Sequence, residues 1–261
     1  MLTLAVAALL VGGAAGAGPR PAIFDVEADC SATPPAEVSV SGVTDDGHEV
    51  TVEVGVLLDG IGKARARDLL AQAGSAYAPL NVRLEAAFYK RIRIVADQAA
   101  SGERRATVDG GSALTAAKTF FGGKRPDAAD VVHVFTDKDV TLPNYGSTLM
   151  GAAECAGGVQ YDDKAFSITE DPGFDTYSVD AAGLTNVAGS PAEAVAHEIG
   201  HLLGGLHEHK SCAEGVSPGD ATSADPSPCT VMSDVVDLAS LRFGAVEAAV
   251  VRGYALRFAD S

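Results

Sequence analysis

Positive charge is scarce in this chain. Of its 261 residues only 19 are Lys or Arg, against 35 Asp or Glu, for a net charge of −16. Such a surface repels nucleic acid and anionic membranes, and no basic or aromatic patch opposes it. The acidic excess serves solubility, with adaptation to high salt as a second reading of the same composition. Long apolar runs are missing as well, since nothing in the mature chain is long enough to span a bilayer. No internal repeat is visible. With 47% hydrophobic and 21% charged residues the chain can fill one sizeable core, so a single globular domain is expected.

What is present begins with residues 1–17, MLTLAVAALLVGGAAGA, an apolar segment ending in the small-residue pattern Ala15-Gly16-Ala17. It lacks a basic n-region beyond the terminal amine but otherwise reads as a signal peptide, with a buried N-terminal helix as the alternative. A secreted protein is therefore expected, and the four cysteines fit an oxidising compartment. Residues 18–37, rich in Pro, Ala and acidic side chains, read as an extended lead-in. The domain itself is expected over 38–261.

Periodicity organises that domain. Val38 and Val40, then Val50, Val52, Val54 and Val56, alternate with polar or small residues around the turn Asp45-Asp46-Gly47, predicting a hairpin over 37–58. Ala64–Tyr77 reads as a helix with Leu69, Leu70, Ala73 and Tyr77 on one face. Val82, Leu84, Ala86, Phe88, Ile92 and Ile94 keep a period of two, for one long strand or two short ones. Ser112–Phe120 reads as a second helix capped by Ser112. Val131–Phe135 is an apolar run of the kind buried on both faces of a sheet, and His133 within it is expected to be a satisfied core residue. Ala165–Thr169 is a further strand, and residues 242–257 carry Phe243, Val246, Ala249, Val250 and Tyr254 at helical spacing. Strand and helix in alternation predict an α/β fold with a mostly parallel sheet. Asp162, Asp163, Glu170 and Asp171 would be the calcium candidates, but their spacing matches no known loop and solvated charges are expected.

The most informative stretch is 190–209, SPAEAVAHEIGHLLGGLHEH. Ser190, Pro191 and Glu193 form a capping box with proline at the first helical position. Val195, Ile199, Leu202 and Leu203 give the helix an apolar stripe. His197 and His201 lie one turn apart, so both imidazoles can reach one ion. Gly204 and Gly205 let the helix stop and turn, which brings round His207 as a third nitrogen, with His209 the substitute. Three neutral imidazoles leave a zinc ion with an open position, the mark of a catalytic site. Glu198, between the histidines, is placed to take a proton from water there.

The pattern His197-Glu198-x-x-His201-x-x-Gly204-x-x-His207 resembles the zinc motif of the metzincin metallopeptidases, with Met232 in Cys229-Thr230-Val231-Met232 as the counterpart of their methionine turn. Within that clan the chain looks most like the reprolysin (adamalysin) group, which also has cysteines near Cys212 and just before the methionine. It departs from the group at Glu208, where Asp is usual, and in the spacing Cys229-x-x-Met232. Asp234 stands where astacins and serralysins have tyrosine. The resemblance covers about residues 48–235 and implies a mixed, mostly parallel twisted sheet with helices, a zinc cleft and a small C-terminal helical subdomain.

It also implies a function: a secreted zinc-dependent endopeptidase, binding one zinc through His197, His201 and His207, with Glu198 as general base. Met232 would be an apolar floor, and Val235 and Val236 would wall the S1′ pocket. An extended peptide would pair with an edge strand at Leu149, Met150, Gly151 and Ala152, and a monomer is expected. Four cysteines allow three connectivities. The resemblance places Cys212 with Cys229, with Cys30 and Cys155 as the accompanying pair. Cys30 lacks the Pro-x-Cys-Gly surroundings of a cysteine switch, so a structural disulfide is expected. A zinc-bound but non-proteolytic relative and a small-peptide amidase stay open as alternatives.

Overall fold

A computed structural model describes residue 30 and residues 46–97, 105–141, 150–171, 173, 176–179, 184–188, 190–207, 230–232 and 241–259. In chain order these form β1 (Val50–Asp59), α1 (Lys63–Tyr77), β2 (Val82–Arg91), β3 (Thr107–Asp109), α2 (Gly110–Phe120), β4 (Val131–Thr136), β5 (Asp139–Thr141), β6 (Gly151–Ala153), β7 (Phe166–Glu170), β8 (Thr176–Val179), β9 (Leu184–Ala188), α3 (Ser190–Leu202) and α4 (Ala245–Phe258). The main sheet runs β2-β1-β4-β7-β6. Its first four strands are parallel, and β6 closes one edge antiparallel to β7. The sheet is therefore mixed and mostly parallel, as the alternation of strand and helix predicts. Two small pairs, β3 with β5 and β8 with β9, stand beside it.

The period of two in the strands decides what lies on each face. Val50, Val52, Val54 and Val56 of β1 and Val131 and Phe135 of β4 join α1, α3 and α4 in one apolar cluster. Leu57, Val132, Val134, Phe166 and Ile168 point the other way and meet Ala113, Leu114 and Ala117 of α2. Both clusters are fully enclosed, so truncating Ile199 or Ile168 to alanine should cost about 2–5 kcal/mol.

Two local expectations are corrected. The hairpin expected over 37–58 is excluded along Val54–Leu58. Parallel neighbours take both edges of β1, β2 from Val50 to Leu58 and β4 from Val54 to Asp59, while Val38 and Val40 lie outside the described residues. α2 starts at Gly110, not Ser112. Its cap is Asp109, whose carboxylate accepts from the Ser112 backbone N–H at 2.8 Å, because Asp109 is extended and one turn ahead of that donor. The strand expected from Val82 ends at Arg91, with Ile92 and Ile94 beyond it.

Polar groups gather at the carboxyl ends of the parallel strands, each met by a partner. Asp59 accepts from Lys138 Nζ at 2.6 Å and from Thr136 Oγ1 at 2.8 Å. Arg65 holds Asp171 through two nitrogens at 2.8 and 3.0 Å. Glu170 accepts from the Val140 N–H at 2.9 Å. Of the calcium candidates, Glu170 and Asp171 are thus buried and engaged within the chain, while Asp162 and Asp163 are exposed.

Cys30 is disulfide-bonded to Cys155, Cα to Cα 5.4 Å, and its N–H donates to the Ala156 carbonyl. Cys212 and Cys229 lie outside the described residues, as do residues 1–17 and the rest of the lead-in. At the other end of the chain, Arg252 of α4 donates to the carbonyls of Leu80, Asn81 and His48 at 2.9–3.0 Å, fastening that helix to the start of the sheet. No helix among the described residues is long and apolar enough to cross a membrane.

Candidate metal centre

α3 is buried along its whole length from Pro191, so the side of the helix that carries the histidines is enclosed like the apolar stripe. Val195, Ile199, Leu202 and Leu203 fix it in the core beside α1. Two residues past the end of α3 the chain turns at Gly204, whose φ of +86° is a conformation other residues resist. A side chain there would also strike the Tyr254 ring, with a Cβ only 2.6 Å from Cε2. α4 is thus the backstop against which the chain turns to bring in His207.

Three Nε2 atoms meet at one point. His197 to His201 is 2.9 Å, His197 to His207 is 3.0 Å, and His201 to His207 is 3.1 Å. The other ring nitrogens decide the tautomers of two of them. His197 Nδ1 donates to the Val231 carbonyl at 2.6 Å, and His201 Nδ1 donates to the Gly205 carbonyl at 2.8 Å. A carbonyl only accepts, so the proton sits on Nδ1 and the Nε2 lone pairs face inward. Burial, then the neighbouring imidazoles, push His197 well below its ordinary pKa and His201 down to about 3. Both are therefore neutral.

Neutral lone pairs turned toward one another repel unless something electrophilic lies between them. Nitrogens at these separations can all lie about 2.0–2.1 Å from a single ion, the usual zinc–imidazole distance, so the residues fit zinc. Among the described residues this is the one group of three or more His, Cys, Asp or Glu side chains close enough to share a metal ion.

Glu198, next to His197 on α3, is fully buried. Its side chain lies against Gly151 of the edge strand β6, where a Cβ would come within 2.7 Å of Cγ and of Oε1. Its charge and, more strongly, burial raise the Tyr77 phenol well above its ordinary pKa. Tyr77 in turn donates to the Ala196 carbonyl at 2.6 Å, which ties α1 to the helix bearing His197 and His201.

Met232 lies beneath α3. Its sulfur would be 2.7 Å from a Cβ on Gly200, and its methyl 3.1 Å from one on Gly205. Gly200 is thus what lets the methionine sit directly under the helix between the two histidines. Met150, Gly151 and Ala152 line the sheet edge and are buried. Leu149, Glu208, His209, Asp234, Val235 and Val236 lie outside the described residues. Sequence reasoning did not find the Val231 carbonyl or Gly200, and it placed Gly151 on the edge strand without its contact with Glu198. For Gly200 a signal existed, since glycine inside a helix costs about 1 kcal/mol and invites a packing reason.

The family described as Metallo-peptidase family M12B Reprolysin-like matches residues 63–208. Among solved structures, archaemetzincin from Methanopyrus kandleri is similar with a TM-score of 0.40 and 15% identity, over 80% of this chain and 89% of its own. A zinc-dependent peptidase from Methanocorpusculum labreanum gives 0.37 and 16%, over 59% of this chain and 82% of its own. No curated protein sequence shows a significant match.

Proposed function

The chain belongs to the reprolysin-like metallopeptidases of family M12B, and on that premise we propose that it is a secreted zinc endopeptidase acting on extended peptides. One observation carries the reading: three inward-facing Nε2 atoms converge beside a buried glutamate, next to a sheet edge that no described strand covers.

His197, His201 and His207 would hold one zinc ion through Nε2. When bound, the ion supplies Lewis acidity at the scissile carbonyl and at the attacking water. Glu198 accepts the proton of that water and delivers it to the leaving amine. The Val231 and Gly205 carbonyls keep the imidazoles in the binding tautomer. β6 spends the Met150 carbonyl and the Glu154 N–H on β7. The antiparallel alternation then turns the main-chain groups of Gly151 and Ala153 outward, where an extended substrate can pair with them. Secretion is supported by residues 1–17 and by the Cys30–Cys155 bond.

Incubating the purified zinc-loaded protein with a proteome-derived peptide library, and mapping new termini by mass spectrometry, tests this directly. Cuts inside long peptides are expected. Trimming confined to terminal residues or to very short peptides would replace the endopeptidase by a small-peptide hydrolase. No cleavage at all would leave a zinc-binding, non-proteolytic relative. Recovery of the processed chain from the culture medium of the native producer tests secretion.

A further inference from the structure

Gly151 has no backbone reason to be glycine. Its φ is not in the left-handed region, unlike that of Gly157 or Gly204, and it sits within a regular antiparallel pair opposite Thr169. An alanine could adopt the same backbone. What excludes a side chain is space: a Cβ would lie 2.7 Å from Glu198 Cγ, 2.7 Å from Oε1 and 2.8 Å from the Ile168 carbonyl oxygen. The neighbouring edge residues Ala152 and Ala153 carry side chains and are equally buried, so the requirement is local to the point where the strand passes over the carboxylate.

From this we infer that Gly151 is a positioning residue for Glu198: its missing side chain is the seat in which the carboxylate rests. Fully buried, Glu198 cannot move away toward solvent when crowded. A methyl group on Gly151 would therefore press on the Glu198 side chain and on the Ile168 carbonyl of the neighbouring strand at once. The side-chain end is the softer of the two, because moving either strand disrupts the hydrogen bonds between β6 and β7. A displacement of about 1 Å at a reacting group is enough to lower turnover by up to ~10²-fold.

The inference rests on Glu198 being the base, and the test separates the two. Kinetics on a long peptide substrate compare wild type, Gly151→Ala, Glu198→Asp and the double variant, each with its zinc content measured. In Gly151→Ala, kcat should fall about 10- to 100-fold, KM should change little, and one zinc per chain should remain. In the Glu198→Asp background, where the carboxylate is already withdrawn by one methylene, the same substitution should cost less than about 3-fold, since residues in contact are not additive. A rise in KM with kcat unchanged would make Gly151 a matter of substrate pairing alone, and an equal fall in both backgrounds would mean that it does not act through Glu198. Either result overturns the inference. If wild type cleaves no peptide, the proposed function fails first, and crystal structures of zinc-loaded wild type and Gly151→Ala decide this point. A shifted Glu198 carboxylate supports the seat, and superimposable side chains sink it. If Gly151→Ala does not fold, folding of the double variant supports it, and failure of both points to the Ile168 carbonyl instead.

Discussion

Two kinds of buried histidine share one face of the sheet, and the chain treats them differently. His133, in the middle of β4, has Nδ1 2.8 Å from Ser167 Oγ and Nε2 2.9 Å from Thr169 Oγ1, both on β7. His197 and His201, on the helix covering that face, have only one nitrogen met by a protein oxygen. Burial lowers the pKa of His133 to about 3, the same depth as His201. Loss of basicity therefore does not distinguish a ligand from a core residue. The difference lies in what meets the second nitrogen. A hydroxyl can donate to a lone pair, whereas a neutral imidazole turned nitrogen-first cannot. The sheet finishes its polar accounts internally, and the helix leaves one open for an ion.

The comparison can be broken at either side. The largest effect expected is at the helix: His201→Ala should abolish zinc binding and hydrolysis together, whereas His133→Ala should leave one zinc per chain. Metal analysis showing zinc lost from both variants would erase the distinction. Next in size, Glu198→Gln should lower kcat/KM by about 10²–10⁴-fold with zinc retained, the usual worth of a positioned base. Activity close to wild type would assign the proton transfer to another group.

His133→Ala should instead appear in stability. It strands the Ser167 and Thr169 hydroxyls in the interior, which should cost about 1–3 kcal/mol in denaturant titration. A neutral result would mean that the two hydroxyls find other partners. The finest contrast is in pH. Unfolded His133 titrates near ~6.5 and the folded residue near about 3. Between these values the unfolded state binds a proton that the native state does not. The stability tied to His133 is thus fully present above pH ~6.5 and declines as the pH drops toward 3, by at most ~1.4 kcal/mol per unit. His133→Gln should remove that part of the slope, and an unchanged acid profile would show that the residue contributes none of it.

Legibility followed distance along the chain. The histidine helix, its glycine stop and the third histidine lie within about one and a half dozen residues, so spacing alone could place His197, Glu198, His201 and His207 together. The strand and helix sequence was readable for the same reason. Asp109 as the α2 cap was obscured by Gly110 and Gly111, which are weak helix formers and made Ser112 look like the start. The strand order was not readable, because β1 pairs with strands more than twenty and more than seventy residues later in the chain. Gly151 against Glu198 and Gly200 against Met232 are contacts of the same long-range kind. They concern volume that is absent, and a sequence does not say which glycine is small for the sake of its neighbour.

The bond between Cys30 and Cys155 makes a closed covalent ring across a sequence separation of 125. β1 through β6 and helices α1 and α2 all belong to that ring, while β7, α3 and α4 hang from it as a tail. Closing a loop of this length contributes roughly 5 kcal/mol in the chain-entropy model. The ring also sets how the molecule comes apart. A nick anywhere from 31 to 154 opens the circle without releasing a fragment, so the pieces migrate together until reduced. A nick between β7 and α3 separates the histidine helix from everything bearing the disulfide, with only packing to hold it in place.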